Sequence, residues 1–459
     1  MRRTAHEPAY RAVDIAASCH ISRSADVEVE EVDNMNENEV TGTDVVVVGA
    51  GIAGLSAAIA AAEGGTRVVM LDAHEPGGRA STVERDGFQL NVGGHALYLG
   101  GHLNTMLTQR GRPPQGGVVS SSTIGVLRDG AIHPVVMSAT GLLRNPVLGR
   151  RSRVRLAALF ARLPRMKPAE LAGSSVNAWL HGQPNDVQEF LRMFVRLSTY
   201  THAPDLFDAG AAVAQLQLAA HGVRYLDGGW AQLVGILTGL AVDAGVIIVS
   251  SAEVTAVHGE NGRVEVSYGD RSLFAKAAIV AAGGPDLTSR LTGGTVQGRE
   301  SLTEPVAASC LDLALTGAHE GIVLGMDEPL YLSSHAPLAK LAPAGGGLVS
   351  LMRYLAPGHS SAEAPGARVV LREMARTAGI PDDAIIFERP LLRMVVTHGA
   401  PTARGGGLAG RPRIDALGVP GVFIAGDWVG PRGMLADASA ASGEHAGRAA
   451  AELCASTSA

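Results

Sequence analysis

The run Asp44-Val45-Val46-Val47-Val48, followed at once by Gly49-Ala50-Gly51-Ile52-Ala53-Gly54, constrains this chain more than any other feature. Four consecutive valines fit a strand buried on both faces, since no position alternates towards solvent. The small-residue segment from Leu55 to about Glu63 reads as a helix, and Gly64-Gly65 ends it. Thr66 to Leu71 reads as a second strand, closed by Asp72. Strand, GxGxxG turn, helix and second strand with a terminal acid make a βαβ unit suited to a dinucleotide. Gly49 permits the tight turn, Gly51 lets backbone approach a pyrophosphate, and Gly54 lets helix and strand pack closely. Ile52 and Ala53 belong to the turn that leads into the helix, whose N-terminus offers free N–H groups and the positive end of its dipole. Asp72 suits the two hydroxyls of an adenosine ribose and disfavours a 2′-phosphate.

Composition removes several classes of function. The chain has 459 residues, enough for two to three domains, and its 58 glycines follow no fixed period, which excludes collagen. A net charge of −6 gives no general footprint for nucleic acid. Only Lys167, Lys276 and Lys340 are lysines, and none follows a glycine, so a phosphate-binding P-loop is absent. Cys19, Cys310 and Cys454 are far apart with no CxxC, which fits a reducing cytoplasm better than a disulfide framework or zinc site. No HExxH or GxSxG occurs, so no metal site and no hydrolase chemistry is read. No apolar run reaches the ~20 residues of a spanning helix.

Along the chain, residues 1–43 contrast with the rest. Seven acids fall between Asp26 and Glu39 without apolar periodicity, so this segment reads as a disordered tail. Met35 stands where a start would be expected, which makes residues 1–34 dispensable on this reading. A long irregular and helical region covers about 95 to 220. A second organised block then runs from Gly228-Gly229 through a helix at 230–243 to strands at 246–249 and 253–258. Asn261-Gly262 turns a hairpin into Arg263 to Tyr268, because that pair accepts positive φ. Ala277 to Ala282 is another buried strand, and the end of the chain reads as a strand at 421–425 and a helix from about Leu435 to Cys454. The division expected is a discontinuous dinucleotide-binding domain (44–100, 222–290, 405–459) and a substrate domain (101–221, 291–404).

One segment has a distinct charge pattern. Arg144, Arg150, Arg151, Arg153, Arg155, Arg162, Arg165 and Lys167 carry no intervening acid, while Leu156, Leu159, Phe160 and Leu163 fall on one helical face. This reads as a helix packing its apolar face inward, or as a peripheral contact with anionic lipid.

Two further motifs narrow the ligand. Gly77-Gly78-Arg79-Ala80 follows Asp72, and the Arg79 guanidinium suits a pyrophosphate. Gly421 to Gly426-Asp427 puts a carboxylate at a strand end, where it suits the hydroxyls of a ribityl chain. The following helix N-terminus suits negative charge developing on a reduced flavin. Together with the LDGGW block and the terminal GVFIAGDWVGPRGMLADASAASGEHAGRAA, these motifs resemble the flavin-dependent amine oxidase and phytoene desaturase superfamily, nearest its phytoene-desaturase-like branch. The resemblance runs from Asp44 to about Glu452. It implies an α/β fold, with a Rossmann-like FAD-binding domain and an inserted α+β substrate domain. It also implies non-covalent FAD, held by the glycines and acids above together with Gly94, Gly283, Met434 and Leu435, and by backbone contacts from Val254 to the adenine. His95 and Tyr98 then fall beside the isoalloxazine as candidate catalytic residues, with fixing the loop as the alternative role for His95.

Departures from the family pattern are informative. Asn91 stands where an acid is common, and Asp72 where glutamate is usual. The strand expected to carry a lysine in amine oxidases, Val306 to Leu315, has none, which disfavours amine oxidation. The expected function is FAD-dependent dehydrogenation of a hydrophobic, isoprenoid-like substrate, with hydride passing to flavin N5. Oxygen or a quinone would reoxidise the flavin, since no second dinucleotide motif is present. The alternatives are an amine or protoporphyrinogen-type oxidase, and a non-catalytic flavin-binding protein.

Overall fold

The computed structural model describes residues 30–31, 42–119, 123–357 and 364–457. At its centre is a six-stranded sheet in the order 30–31, 247–250, 68–71, 45–48, 277–280, 422–424, with every pairing parallel. Val45 to Val48 lies between 68–71 and 277–280 and is at most 3% exposed, which is why its sequence has no polar alternation. The hairpin at 254–268 turns on Asn261 and Gly262 with φ of 53° and 76°, as the Asn-Gly pair predicts.

The segment read as a tail does contain structure at one point. Residues 30–31 pair with Val249 and Ser250, because the open edge of that strand offers backbone groups to any short extended segment. The rest of that reading, at 1–29 and 32–41, lies outside the described residues, as does most of the dispensable stretch.

A second sheet, of seven strands, forms the inserted domain in the order 385–397, 306–315, 347–354, 330–336, 322–325, 123–128, 131–136. Its last two strands come from a region expected to be irregular or helical. Pairing with 322–325 and burial in the inserted domain's core stabilise that short hairpin. The helix His102–Gln109 also corrects the domain boundary. It was assigned to the inserted domain, but Leu103, Met106 and Leu107 are 0–2% exposed within the core around the parallel sheet. Among the described residues the helices 185–199 and 209–219 pack their apolar sides into the inserted domain's core.

The first helix, Ile52–Glu63, and the terminal helix, Leu435–Ser456, pack together. A Cβ at Gly443 would lie 2.2 Å from the Ala53 carbonyl oxygen, and one at Gly447 the same distance from that of Ala57. Only glycine at both positions lets the two backbones approach so closely.

Next to that crossing lies a buried carboxylate. Glu444 is 5% exposed; His102 Nε2 meets its Oε2 at 2.8 Å, and Arg110 Nη2 meets its Oε1 at 3.0 Å. Arg110 also pairs with Glu63 of the first helix at 2.7 Å, so three helices share one charge cluster. Burial alone would raise the Glu444 carboxyl, but His102, Arg110 and Arg448 outweigh it and hold it at about 2. With its folded pKa below the unfolded 4.5, this pairing contributes full stability above about pH 4.5 and loses it as pH falls towards 2. Glu444→Gln is therefore expected to cost about 2 kcal/mol at pH 7. Urea unfolding across pH should show the gap from wild type closing below pH 4.5; a pH-independent gap would contradict the assignment.

Candidate functional site

Two helix N-termini and the ends of the central strands converge on a cavity of about 570 Å³, within the range of small-molecule sites. The first N-terminus belongs to Ile52–Glu63, capped by Gly51 with no side-chain bond to its free N–H groups. The three glycines of the turn take three different positions. Gly49 has φ of 100°, a value that L side chains rarely adopt. A Cβ at Gly51 would meet nothing within 4 Å, because that position faces open cavity. One at Gly54 would lie 1.7 Å from the Gly49 carbonyl oxygen, so Gly54 serves packing and is not in the cavity wall. Ile52 and Ala53 line the wall beside Gly49 and Gly51.

Asp72 closes the second strand at the same wall. Its Oδ2 accepts the Ala50 N–H at 2.6 Å and its Oδ1 the His74 N–H at 2.8 Å. Gly77 and Gly78, with φ of 133° and 55°, turn the chain so that both and Arg79 join the lining.

Arg79, expected on a pyrophosphate, stands in the cavity wall, where its Nη1 donates to Asp427 Oδ2 at 2.9 Å and to the Val396 carbonyl at 2.8 Å. The reason lies in Asp427, whose side chain is 2% exposed; a buried carboxylate requires a counter-charge. Burial would raise the Asp427 carboxyl, but Arg79 and His398 prevail and hold it far below the usual carboxylate range. Arg411, itself lowered to about 10 by burial, donates to the Asp427 backbone carbonyl at 3.1 Å. Asp427 Oδ1 remains buried without a hydrogen-bond donor, although His398 Nδ1 is 3.5 Å away.

Gly426, Leu435, Ala436 and Asp437 bring the N-terminus of the terminal helix to the cavity, and Leu435 takes a φ of 54°. Met434 caps that helix and is buried behind the wall. Gly283 lines the opposite strand end, and its carbonyl accepts the Trp428 indole N–H at 3.2 Å. Val254 is not in the lining; it pairs with Tyr268 in the hairpin beside the sheet.

Gly94, His95 and Tyr98 all line the cavity, with Tyr200, Trp230 and Met394. His95 Nδ1 donates to the Gly93 carbonyl at 3.0 Å, and its ring sits 4.5 Å from that of Trp230. Burial lowers the His95 imidazole below its ordinary value, so it is neutral at pH 7. Tyr98 is buried with its hydroxyl donated to the Ser198 carbonyl at 2.8 Å, and burial raises it well above the usual phenol range. Tyr200 donates to the Gly94 carbonyl at 3.0 Å, fixing the same loop from the other side.

His398 and Arg411 carry no local sequence signal for this role, while Trp230 and Asp437 lie inside the LDGGW and terminal motifs without having been singled out. Asp437 accepts the Leu103 N–H at 2.9 Å, and burial pushes its carboxyl up to about 6. Asn91, singled out as a departure, accepts the Trp230 N–H at 2.8 Å and the Thr82 hydroxyl at 2.8 Å. An amide serves there without a buried charge.

Residues 47–109 match a family model described as an NAD(P)-binding Rossmann-like domain. A carotenoid 3,4-desaturase from Haloarcula japonica is 49% identical over 57 residues, which is 12% of this chain and 12% of that relative's length. Among solved structures, an oxidoreductase from Methanosarcina mazei is similar with a TM-score of 0.69 at 20% identity, covering 88% of this chain and 99% of that one. Cyclohexylamine oxidase from Brevibacterium oxydans gives 0.64 at 16% identity, covering 89% and 99%. At these identities the structural likeness is one of fold. The match at 47–109 covers the first βαβ unit, and the whole-length α/β fold is shared with these oxidoreductase and amine oxidase structures.

The three glycines make separable predictions. Gly51→Ala should fold with unchanged thermal stability yet lose dinucleotide affinity by roughly tenfold or more, since its methyl enters the ligand's space. Gly54→Ala should fail to fold or unfold at much lower temperature, because its methyl meets backbone. Calorimetry and FAD titration on both variants check this; equal FAD affinity in Gly51→Ala would contradict the cavity assignment.

Proposed function

We propose that the protein binds FAD non-covalently and dehydrogenates a carbon–carbon bond in a hydrophobic, isoprenoid-like substrate. The observation that carries this reading is one cavity that combines two kinds of wall. Part of it presents two helix N-termini whose N–H groups take no side-chain cap, and the carboxylates of Asp72 and Asp427, suited to phosphates and hydroxyls. Another part is a largely apolar chamber of Tyr98, Tyr200, Trp230 and Met394.

The residues fit FAD on three counts. The open space at Gly51 admits a pyrophosphate against backbone. Asp427, in the cavity wall and held ionised by Arg79 and His398, is an acceptor suited to a hydroxyl. The N-terminus at Leu435 offers N–H groups to a ring oxygen. Bound FAD supplies a two-electron acceptor for a hydride. The protein's own part is to bind, orient and exclude water. Tyr98 and Tyr200 commit their hydroxyls to backbone carbonyls, so they present ring surface to the chamber.

The desaturase-like reading is favoured over amine oxidation by where the lysines lie. The side chains of Lys167, Lys276 and Lys340 are 76%, 39% and 88% exposed, all away from the cavity. The strand Val306–Leu315 reaches the site through Cys310, a buried thiol 3.4 Å from the Cβ position of Gly93. The partial match to a carotenoid desaturase supports the same choice. Oxygen or a quinone is the proposed acceptor for reoxidation.

The test is anaerobic bleaching of the yellow holoprotein against a panel of carotenoid precursors, primary amines and porphyrinogens. Bleaching by an isoprenoid polyene and not by amines is the expected result. Amine-driven bleaching would replace the reading with an amine oxidase, and no bleaching by any substrate or artificial donor would favour a non-catalytic flavoprotein. A second prediction concerns His95, whose ring is fixed by the Gly93 carbonyl and Trp230. His95→Gln keeps hydrogen bonding but cannot titrate, and should leave the bleaching rate within about tenfold. A larger loss with a changed pH profile would make His95 a proton acceptor.

A further inference from the structure

We infer that the outer face of the helix Arg150–Arg162, continued by Arg165, is a docking surface for an anionic lipid bilayer. This does not rest on the flavin reading. The inner side of the helix is already occupied: Leu156 is fully buried, and the Phe160 ring meets Phe194 edge-on at 5.8 Å. The apolar periodicity legible in the sequence is therefore spent on the protein's own core.

The outer side has a different composition. Val154, Ala158 and Ala161 recur at i, i+4 and i+7, forming an exposed stripe in which Val154 is 61% exposed. Arg150, Arg151, Arg155 and Arg162 are exposed around that stripe. Among the described residues none of these four, nor Arg144 or Arg165, forms an ion pair. Two carboxylates near this helix are already engaged. Asp186 accepts the Gly149 N–H at 3.0 Å and the Ser152 hydroxyl at 2.7 Å, and Glu170 pairs with Lys167 at 3.0 Å.

Seven arginines and no acid between 144 and 165 stand out in a chain of net charge −6, so the attraction is local and orients the molecule. Unpaired guanidiniums around a small apolar stripe fit a surface with phosphates outside and hydrocarbon beneath. A nucleic acid would engage the guanidiniums but leave Val154 and Leu143, which is 48% exposed, in water. Among the described residues no helix is long and apolar enough to cross a membrane, so the contact proposed is peripheral.

Vesicle flotation of the full chain tests this, using phosphatidylcholine alone and phosphatidylcholine with phosphatidylglycerol in a two-to-one ratio. The wild type should float with the anionic vesicles at low salt, be released at high salt, and stay unbound with the neutral ones. Arg151→Glu/Arg155→Glu/Arg162→Glu should lose at least about tenfold in binding while keeping its thermal unfolding temperature. If that variant does not fold, Arg155→Gln/Arg162→Gln carries the same test with a loss of about threefold or more. No flotation at low salt, equal flotation of the charge variants, or displacement from vesicles by a single-stranded oligonucleotide would each overturn the proposal.

Discussion

Gly443 and Gly447 set the terminal helix against the carbonyl oxygens of Ala53 and Ala57, and the site depends on that crossing. Only because the two backbones touch do two helix N-termini, drawn from opposite ends of the chain, open on one cavity. Each N-terminus brings partial positive charge, and two of them make the region suited to a ligand bearing several anionic or strongly polar groups. The charge cluster of Glu444, His102, Arg110 and Glu63 then fixes the helix His102–Gln109 to both. A local packing choice made by two small residues thus becomes an electrostatic property of the whole site.

The inserted domain closes over this arrangement through a second set of buried polar contacts. Arg389 pairs with Asp312 at 2.6 Å, Ser350 donates to the same carboxylate at 2.7 Å, and Arg389 also reaches the backbone carbonyls of Leu90 and Asn91. The loop bearing Gly93, Gly94 and His95 follows directly. It is therefore held between the two domains, with Tyr200 on Gly94 and Met394 filling the space beside Gly93. The chamber owes its apolar character to hydroxyl groups turned onto backbone carbonyls, which leaves rings and thioethers facing inward. Such a wall has few groups to bind a charged molecule.

Asp427 illustrates how far a motif can be trusted. As a strand-end carboxylate it was legible in Gly421 to Asp427, and so was Arg79 in its glycine-rich turn. Their mutual pairing was not, because 348 positions separate them and neither carries a sign of the other. The same holds for His398 and Arg411, which have no motif and act only through proximity to Asp427. Val254 differs in kind: its strand and hairpin were legible from local sequence, and in the fold it pairs with Tyr268.

By itself the sequence determined the βαβ unit, the buried valine strand, the Asn-Gly hairpin and the distinct parts of the glycine turn. Each is set by local sterics: β-branching, positive φ and helix-end chemistry act within a few residues. It also determined that no lysine stands in the strand Val306–Leu315, which bears directly on the chemistry proposed. Tertiary structure alone decided which side chains share the cavity, that the helix His102–Gln109 joins the first domain, and that the hairpin at 123–136 completes the second sheet. It likewise decided that one face of the arginine-rich helix is consumed by the core while the other stays open. These outcomes depend on burial and on charge partners distant in sequence, and periodicity reports that a face is apolar without saying what will cover it.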